Sequence, residues 1–295
     1  MKRIMAIIGL LLLMAGQALA EEHLVMRFDF ENVDGKNVTD PVSGITAKVM
    51  NQASVVEMGS RKVLNLGNGS GYLDMTKSAG EVVRNLSDFT VSVYYRIDGK
   101  ASLSGAGYFL WCFSQSAANT QTSSPYTAYR LNAQRIATST GGWGNEVGIE
   151  LSSESAKGRW IHLLYRQSGQ KGELFLDGKC VAQATNMPVL KNTFSGAPAY
   201  NWIGRAPFSG DNYLKQTLVS DFRLYDVAVS DATITTLTAE TKLLDKDYNY
   251  GVPGNFSTLQ TTVNEVRSFI GEQLRAMLLM LLLSCMTRWS WQNMR

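Results

Sequence analysis

The chain has 295 residues, of which 45% are hydrophobic and 18% are charged, and its formal net charge at pH 7 is +3. This length accommodates one large all-β domain with additional segments, and the composition is typical of a globular protein. The lysine and arginine side chains form no basic stripe interleaved with aromatic residues, so no nucleic-acid partner is expected.

The N-terminus has the pattern of a secretory signal peptide. Lys2 and Arg3 precede an apolar run over 4–15, and small residues that a signal peptidase reads end at Ala20. The run is shorter than the roughly 20 residues of a permanent transmembrane helix. We therefore predict cleavage near Glu21 and a secreted, periplasmic or cell-surface protein without a permanent membrane span.

Apolar periodicity in the following residues predicts short β-strands. Over 24–30 large apolar side chains occupy alternate positions, as in a half-buried strand. The run 108–113 is apolar on both faces and predicts a central strand. Between 114 and 148 the sequence is rich in Ser, Thr, Asn and Gly, which predicts a long irregular insertion where function would lie. Further strands are expected at 63–66, 71–75, 90–97, 147–151 and 160–166.

The second half contains turn and cap signals in a defined order. Asp177-Gly178 between two apolar runs indicates a two-residue hairpin. An apolar strand ends at Gly204, and Ser230 is placed as the N-cap of a short helix.

These features together resemble the laminin-G-like, concanavalin A-like lectin and glucanase family. The strand led by Trp160, the hairpin at 174–178, the strand end at 203–204 and the closing run 219–230 occupy the places of its recurring pattern. The resemblance covers about 22–242. It implies an all-β, two-sheet antiparallel jelly-roll sandwich followed by a short C-terminal helical segment. It does not fix the function, because this fold hosts lectins, hydrolases and adhesion modules.

The segment beyond the predicted sandwich has a different character. A stretch rich in turn residues precedes Ser257 and Gln260, which form a capping box, and an apolar run begins at Ala276. Codons read in a shifted frame suggest that this apolar tail is a frameshift product and that further domains follow. The expected organisation is a signal peptide at 1–20, the jelly roll at 21–242, a linker at 243–256, the start of a helical module at 257–275 and the anomalous tail at 276–295.

No catalytic signature is present in the sequence. Glu146 and Glu150 are separated by Val-Gly-Ile, unlike the Glu-x-Asp-x-x-Glu run of hydrolases on this fold, and the histidines are His23 and His162 alone. Whether the chain is an enzyme stays open, and a glycoside hydrolase or lyase domain is expected downstream if one exists. Catalysis by the jelly roll itself would need a carboxylate pair on its concave sheet.

Cysteine and acidic residues give two further expectations. Cys112 and Cys180 are interpreted as buried free thiols, with a disulfide bridge as the alternative. Calcium is the expected structural cofactor, because hard cations prefer carboxylate and carbonyl oxygens. In the resembled fold the terminal strands run together, and turn capping is the alternative role for these acids. The candidate ligands are Asp29, Asp34, Asp40 and Asp221.

The expected ligand of the domain is a polysaccharide or oligosaccharide. Trp143 stands among glycines and is the best candidate to stack on a sugar ring, while amide and guanidinium groups would bind the hydroxyls. A structural or adhesive module without sugar binding is the alternative. The candidate binding residues are Trp143, Tyr126, Tyr129, Arg130, Asn132 and Arg135.

Overall fold

The structure of the chain, a computed structural model, describes residues 23–250. The predicted signal peptide, helical module and apolar tail lie outside these residues. Within them, two antiparallel β-sheets pack face to face as a sandwich, which confirms the predicted fold class. No helix of this part of the chain is long and apolar enough to cross a membrane.

One sheet, here called the back sheet, has eight strands. These are β1 (Leu24–Phe28), β5 (Ser54–Met58), β6 (Arg61–Asn65), β8 (Phe89–Ile97), β13 (Trp160–Ser168), β14 (Lys171–Leu176), β15 (Lys179–Ala184) and β17 (Thr217–Tyr225). Their order is β15-β14-β13-β8-β17-β6-β5, and β1 also pairs with β17. The terminal strands therefore run side by side, with Phe28 opposite Phe222.

The other sheet, here called the front sheet, has nine strands. These are β2 (Val33–Asp34), β3 (Asn37–Thr39), β4 (Thr46–Met50), β7 (Tyr72–Asp74), β9 (Phe109–Ser114), β10 (Tyr126–Arg130), β11 (Arg135–Ser139), β12 (Glu146–Glu150) and β16 (Tyr200–Ile203). Their order is β12-β11-β10-β9-β16-β7-β4-β3-β2.

The core lies between the two sheets. Phe113 of the front sheet contacts Phe222 of the back sheet, with ring centroids 6.4 Å apart. Both rings are buried, and each contributes about 1.5–3 kcal/mol through removal of apolar surface from water. The tryptophans predicted to be buried, Trp111, Trp160 and Trp202, are at most 3% exposed.

Four α-helices accompany the sheets within the described residues: α1 (Thr76–Val83), α2 (Leu190–Thr193), α3 (Asp231–Ala239) and α4 (Thr241–Tyr250). The Oγ of Ser230 accepts a hydrogen bond from the Thr233 backbone N–H at 3.2 Å, which confirms the predicted N-cap of α3. Ile234 and Leu237 of α3 join the apolar cluster on the outer side of the back sheet. This helix covers part of the outer face of the back sheet.

Two segments differ from their predicted structure. The expected irregular insertion at 114–148 contains the hairpin β10–β11, whose Thr, Ala and Ser residues give a weak hydrophobic signal. The segment predicted as a linker from 243 begins inside α4, where Leu244 is buried. Asp247 of α4 accepts hydrogen bonds from Ser60 Oγ at 3.1 Å and Arg61 Nε at 2.9 Å, so the domain extends past 242.

Cys112 and Cys180 are both free. Cys112 is buried, as predicted, and burial raises the pKa of its thiol to about 12. The prediction that Cys180 is buried is wrong, because β15 is the edge strand of the back sheet and exposes it.

Candidate functional site

A cleft of about 570 Å³ opens on the outer face of the front sheet. Strands β9 to β12 form its floor, and the loops 140–145 and 204–214 form its walls. Phe208 of the second loop packs on Phe109 and Tyr126 of the floor, with ring centroids 5.7 and 5.3 Å apart.

Three of the four floor strands, β10, β11 and β12, carry small residues in register. Ala128, Ala137 and Gly148 stand opposite one another on β10, β11 and β12, so their small side chains leave room above the sheet. Arg130 and Arg135 form the cross-strand pair two residues further along β10 and β11. Because residues two apart in a strand point to the same face, both arginine side chains lie on the same side of the sheet as the small residues.

Trp143 stands at the edge of the cleft and is 49% exposed. It begins a short 3-10 helix, Trp143–Asn145, after Gly142, whose φ is +69°. The Trp143 and Gly144 backbone N–H groups donate to the carbonyls of Thr120 and Gln121 at 3.2 and 2.9 Å. Its ring meets Phe208 edge to face at 5.9 Å. The exposed indole is therefore held in place before any ligand binds.

Charged side chains form a paired network along the floor. Arg135 contacts Glu146 at 2.6 Å and Glu150 at 2.9 Å. Gly148 lies between these two glutamates on the same face and has no side chain, so the guanidinium reaches both. Arg130 lies 3.8 Å from Glu150, and the Tyr126 hydroxyl donates to Glu146.

Some polar groups of the cleft lack protein partners. The Nε atoms of Arg130 and Arg135 are buried without a hydrogen-bond partner in the described residues. Asp211 in the wall is half-buried, and burial raises the pKa of its carboxyl group against the opposing effect of Arg130. The cleft thus combines an aromatic face, guanidinium donors and carboxylate acceptors.

A family comparison identifies the domain. The family Laminin_G_3, described as the concanavalin A-like lectin/glucanases superfamily, matches residues 67–235, more than half of the chain. The chain belongs to this family. A search of curated protein sequences gave no match to this laminin-G-type domain.

Solved structures share the fold of the laminin-G-type domain. Domain 4 of AbnA, a GH43 extracellular arabinanase from Geobacillus stearothermophilus in complex with arabinotriose, has a TM-score of 0.56 at 14% identity, over 73% of this chain and 98% of that chain. Trypanosoma rangeli sialidase in complex with sialic acid has a TM-score of 0.53 at 17% identity, over 76% and 34%.

A third structure is that of botulinum neurotoxin type C, whose cell entry depends on interaction with two ganglioside molecules. Its TM-score is 0.53 at 14% identity, over 76% of this chain and 53% of that chain. At such low identities the likeness of these three structures establishes the fold alone.

The predicted binding residues separate into two groups. Trp143, Arg130 and Arg135 line the cleft, and Tyr126 lies beneath it as a donor to Glu146. Tyr129 is fully buried in the core between the sheets, because it alternates with its neighbours on β10, and it is removed from the candidate site.

Asn132 also falls outside the cleft lining, since its side chain donates to the Gly105 carbonyl at 2.8 Å and fixes a turn. Sequence reasoning missed several lining residues. Glu146, Phe208 and Asp211 are among these missed lining residues. From the sequence, Glu146 is considered only as a catalytic acid. The other two missed residues belong to a loop that carries no motif.

The four candidate calcium ligands engage other partners or lie apart. The Asp40 carboxylate accepts hydrogen bonds from the backbone of Arg27 and Val42 at 2.9 and 2.7 Å. Asp221 lies beside β1, as the resemblance implied, but it accepts from the guanidinium of Arg27 at 2.8 Å and from that of Arg223.

Asp29 caps the Glu31 backbone N–H at 3.1 Å, and Asp34 lies exposed in a two-residue strand. Within residues 23–250 no three acidic, histidine or cysteine side chains come together as a metal site. Calcium binding stays a prediction, and the described residues contain no assembled site for the ion.

Proposed function

We propose that this chain is a non-catalytic carbohydrate-binding domain that holds a glycan in the cleft of the front sheet. The observation that carries the proposal is the exposed indole of Trp143, fixed by backbone hydrogen bonds at the edge of a cleft lined with guanidinium and carboxylate groups. An aromatic face stacks on the C–H surface of a sugar ring, and the polar groups bind its hydroxyls.

The charge pairing of the floor favours an uncharged sugar unit at this position. Glu146 and Glu150 flank Arg135, so the guanidinium is already neutralised by carboxylates. The carboxylate of a bound acidic sugar would lie close to these two glutamates. Like charges repel each other more strongly in a partly buried site, where the effective dielectric constant is lower than in water. Vicinal hydroxyls instead match both the donors and the acceptors.

The distribution of exposed apolar side chains supports sugar binding over a purely adhesive role. A protein-docking surface is expected to be a contiguous apolar patch. The exposed large hydrophobic residues of 23–250 lie on separate segments, and Trp143 alone among them lines the cleft. They are Val42, Trp143, Tyr200 and Leu243.

The biological setting is part of the same proposal. The signal pattern at 1–20 supports export, and the similar domain in the bacterial arabinanase belongs to an enzyme that acts on a polysaccharide. We expect this domain to keep a polysaccharide-degrading activity, encoded downstream or in a partner, close to its substrate.

A glycan array probed with the full chain tests the proposed function. Binding to one or a few related oligosaccharides that contain neutral sugar units is expected, with loss of the signal in the Trp143→Ala variant. Absence of binding to every glycan on a broad array, by protein that melts cooperatively, would contradict the proposal.

A further inference from the structure

A second feature of the front sheet is an arginine held by aromatic rings. The Cζ of Arg205 lies 3.9 Å from the ring centroid of Trp202, 4.9 Å from that of Tyr72 and 5.5 Å from that of Tyr213. Such cation–π contacts fix the plane of a guanidinium without using its N–H donors. Arg205 itself is partly exposed to solvent.

The aromatic rings form a rigid support beneath this arginine. Tyr72 meets Trp202 edge to face at 5.8 Å and Tyr213 at 5.9 Å. Trp202 and Tyr72 are buried at 3% and 7% exposure, whereas Tyr200, 5.5 Å from Trp202, is 37% exposed. Solvent therefore meets the guanidinium of Arg205 and the ring of Tyr200 rather than the buried rings.

The guanidinium of Arg205 has no hydrogen bond or ion pair with any residue in 23–250. Each of the other arginines in this part of the chain donates a hydrogen bond or forms an ion pair. A cation held in place with all its N–H donors free is prepared to bind an anion. The backbone at this point is also fixed, since the Cys112 thiol donates to the Arg205 carbonyl.

We propose that Arg205 is the centre of an anion-binding subsite for a sugar unit that carries a carboxylate or sulfate group. The planar guanidinium binds two oxygens of such a group through parallel N–H donors, and it is more weakly hydrated than an ammonium group. Tyr200 beside it offers an exposed ring to the same sugar.

The charges around this subsite are compatible with an anion. Trp202, Asp74 and Lys48 stand opposite one another on β16, β7 and β4, which places their side chains on one face. Lys48 is exposed and adds positive charge. The Asp74 carboxylate accepts from the Thr76 backbone N–H at 2.9 Å and forms no ion pair with Arg205.

The subsite rests on the proposed function, because its acidic sugar would belong to the same glycan as the neutral unit in the cleft. Loop 204–214 connects the two sites, with Arg205 at its start and Phe208 in the cleft wall. The glycan expected from both sites carries acidic units among neutral ones.

Calorimetric titrations of the full chain with matched oligosaccharides test the subsite. The probes are an oligogalacturonate and a glucuronate-substituted xylan oligosaccharide, each as the free acid and as its methyl ester, and a sulfated galactan oligosaccharide with its desulfated form. The variants are Arg205→Gln and Arg205→Lys. Arg159→Gln, at an exposed arginine next to the back sheet, is the matched control, and thermal melting verifies folding.

The expected result is that at least one anionic form binds about tenfold or more tightly than its neutral form. Arg205→Gln removes this preference, Arg205→Lys reduces it, and Arg159→Gln retains it. Preference for the acid assigns a carboxylate, and preference for the sulfated form assigns a sulfate.

Equal affinity for every charged and neutral pair, no binding of any probe, or a preference that survives Arg205→Gln in folded protein would overturn the subsite. The Trp143→Ala variant separates the two proposals. If it weakens the charged and neutral forms equally, both sites stand. If it has no effect while Arg205→Gln abolishes the preference, the cleft proposal fails and the subsite remains.

Discussion

The ring of Trp143 packs edge to face on Phe208 with centroids 5.9 Å apart, although the two residues belong to loops that are distant in the sequence. Phe208 in turn contacts Tyr126 and Phe109 on the floor of the cleft. One phenyl ring therefore connects the floor to both walls and sets the position of the exposed indole.

Replacement of this ring is expected to loosen the cleft. In Phe208→Ala the indole of Trp143 loses its aromatic neighbour, and we expect glycan affinity to fall about tenfold and stability by about 1–3 kcal/mol. Titration calorimetry and urea unfolding measure the two effects. Phe208→Leu, which keeps apolar volume, should recover most of the stability but only part of the affinity. Unchanged affinity in Phe208→Ala would show that the wall does not position Trp143.

Gly142 is expected to be essential for the conformation that presents Trp143. Its φ is +69°, and a Cβ at this position would lie 2.3 Å from the Thr120 carbonyl oxygen. Gly142→Ala should therefore combine backbone strain of about 1 kcal/mol or more with a steric clash, and lower both melting temperature and glycan affinity.

Gly44→Ala provides a matched control for that variant. Gly44 has nearly the same φ, +73°, but nothing lies within 4 Å of a Cβ built there. It should show the backbone cost alone and leave glycan binding unchanged. If the two variants melt at the same temperature, the close contact of loop 140–145 with Thr120 is not stabilising.

Asp221 is expected to support stability down to acidic pH. Burial alone would raise the pKa of its carboxyl group, but the guanidinium groups of Arg223 and Arg27 outweigh burial and hold the pKa below its usual value. A lowered folded-state pKa gives stability that is present above about pH 4 and lost as pH falls further through the folded-state pKa.

Asp221→Asn tests this ion cluster. The variant leaves two partly or fully buried guanidinium groups without their shared carboxylate, so we expect a loss of about 3–5 kcal/mol at pH 7. Urea unfolding measured from pH 7 to pH 2.5 should show that the free energy of unfolding of the variant falls less steeply with acidification than that of the wild-type protein. Equal acid transitions would exclude Asp221 as a source of the pH dependence.

His162 should destabilise the domain over a higher pH range. Its ring is buried between Ser92 Oγ and Thr238 Oγ1, both at 2.9 Å, and burial, followed by the charge of Arg223, lowers its pKa to about 3. The unfolded chain takes up a proton near pH 6.5, whereas the folded protein does not. Stability should therefore fall by up to about 1.4 kcal/mol per pH unit between pH 6.5 and 3.

The His162→Gln variant removes this titration while keeping polar contacts, so its stability should vary less over that range. An unchanged slope in His162→Gln would mean that the imidazole is protonated inside the folded domain.

Local sequence chemistry predicted the parts of the fold that depend on a few neighbouring residues. Asp177-Gly178 forms the turn between β14 and β15, and Ser230 caps α3. The hairpin β10–β11 was missed because its Thr, Ala and Ser residues resemble a loop. Because β10 was not predicted as a strand, the alternation of its side chains between the two faces could not be used to place Tyr129 in the core.

The site itself depended on tertiary structure. Trp143 was recognisable because glycines surround it, but Phe208 and Asp211 reach the cleft from a loop near the other end of the domain. The pairing of Arg135 with both Glu146 and Glu150 required the register of β11 and β12, which no local motif encodes.

The most direct test of sugar binding in the cleft is a calorimetric titration of the full chain and its Trp143→Ala variant with the best neutral oligosaccharide from the glycan array. We expect the variant to bind at least about 30-fold more weakly, the loss typical of a central aromatic contact. Its melting temperature should be nearly unchanged, because the indole is 49% exposed. Val42→Ala, at another exposed apolar side chain, should bind as the wild-type protein does. Equal affinity of Trp143→Ala and wild-type protein would contradict sugar binding in this cleft.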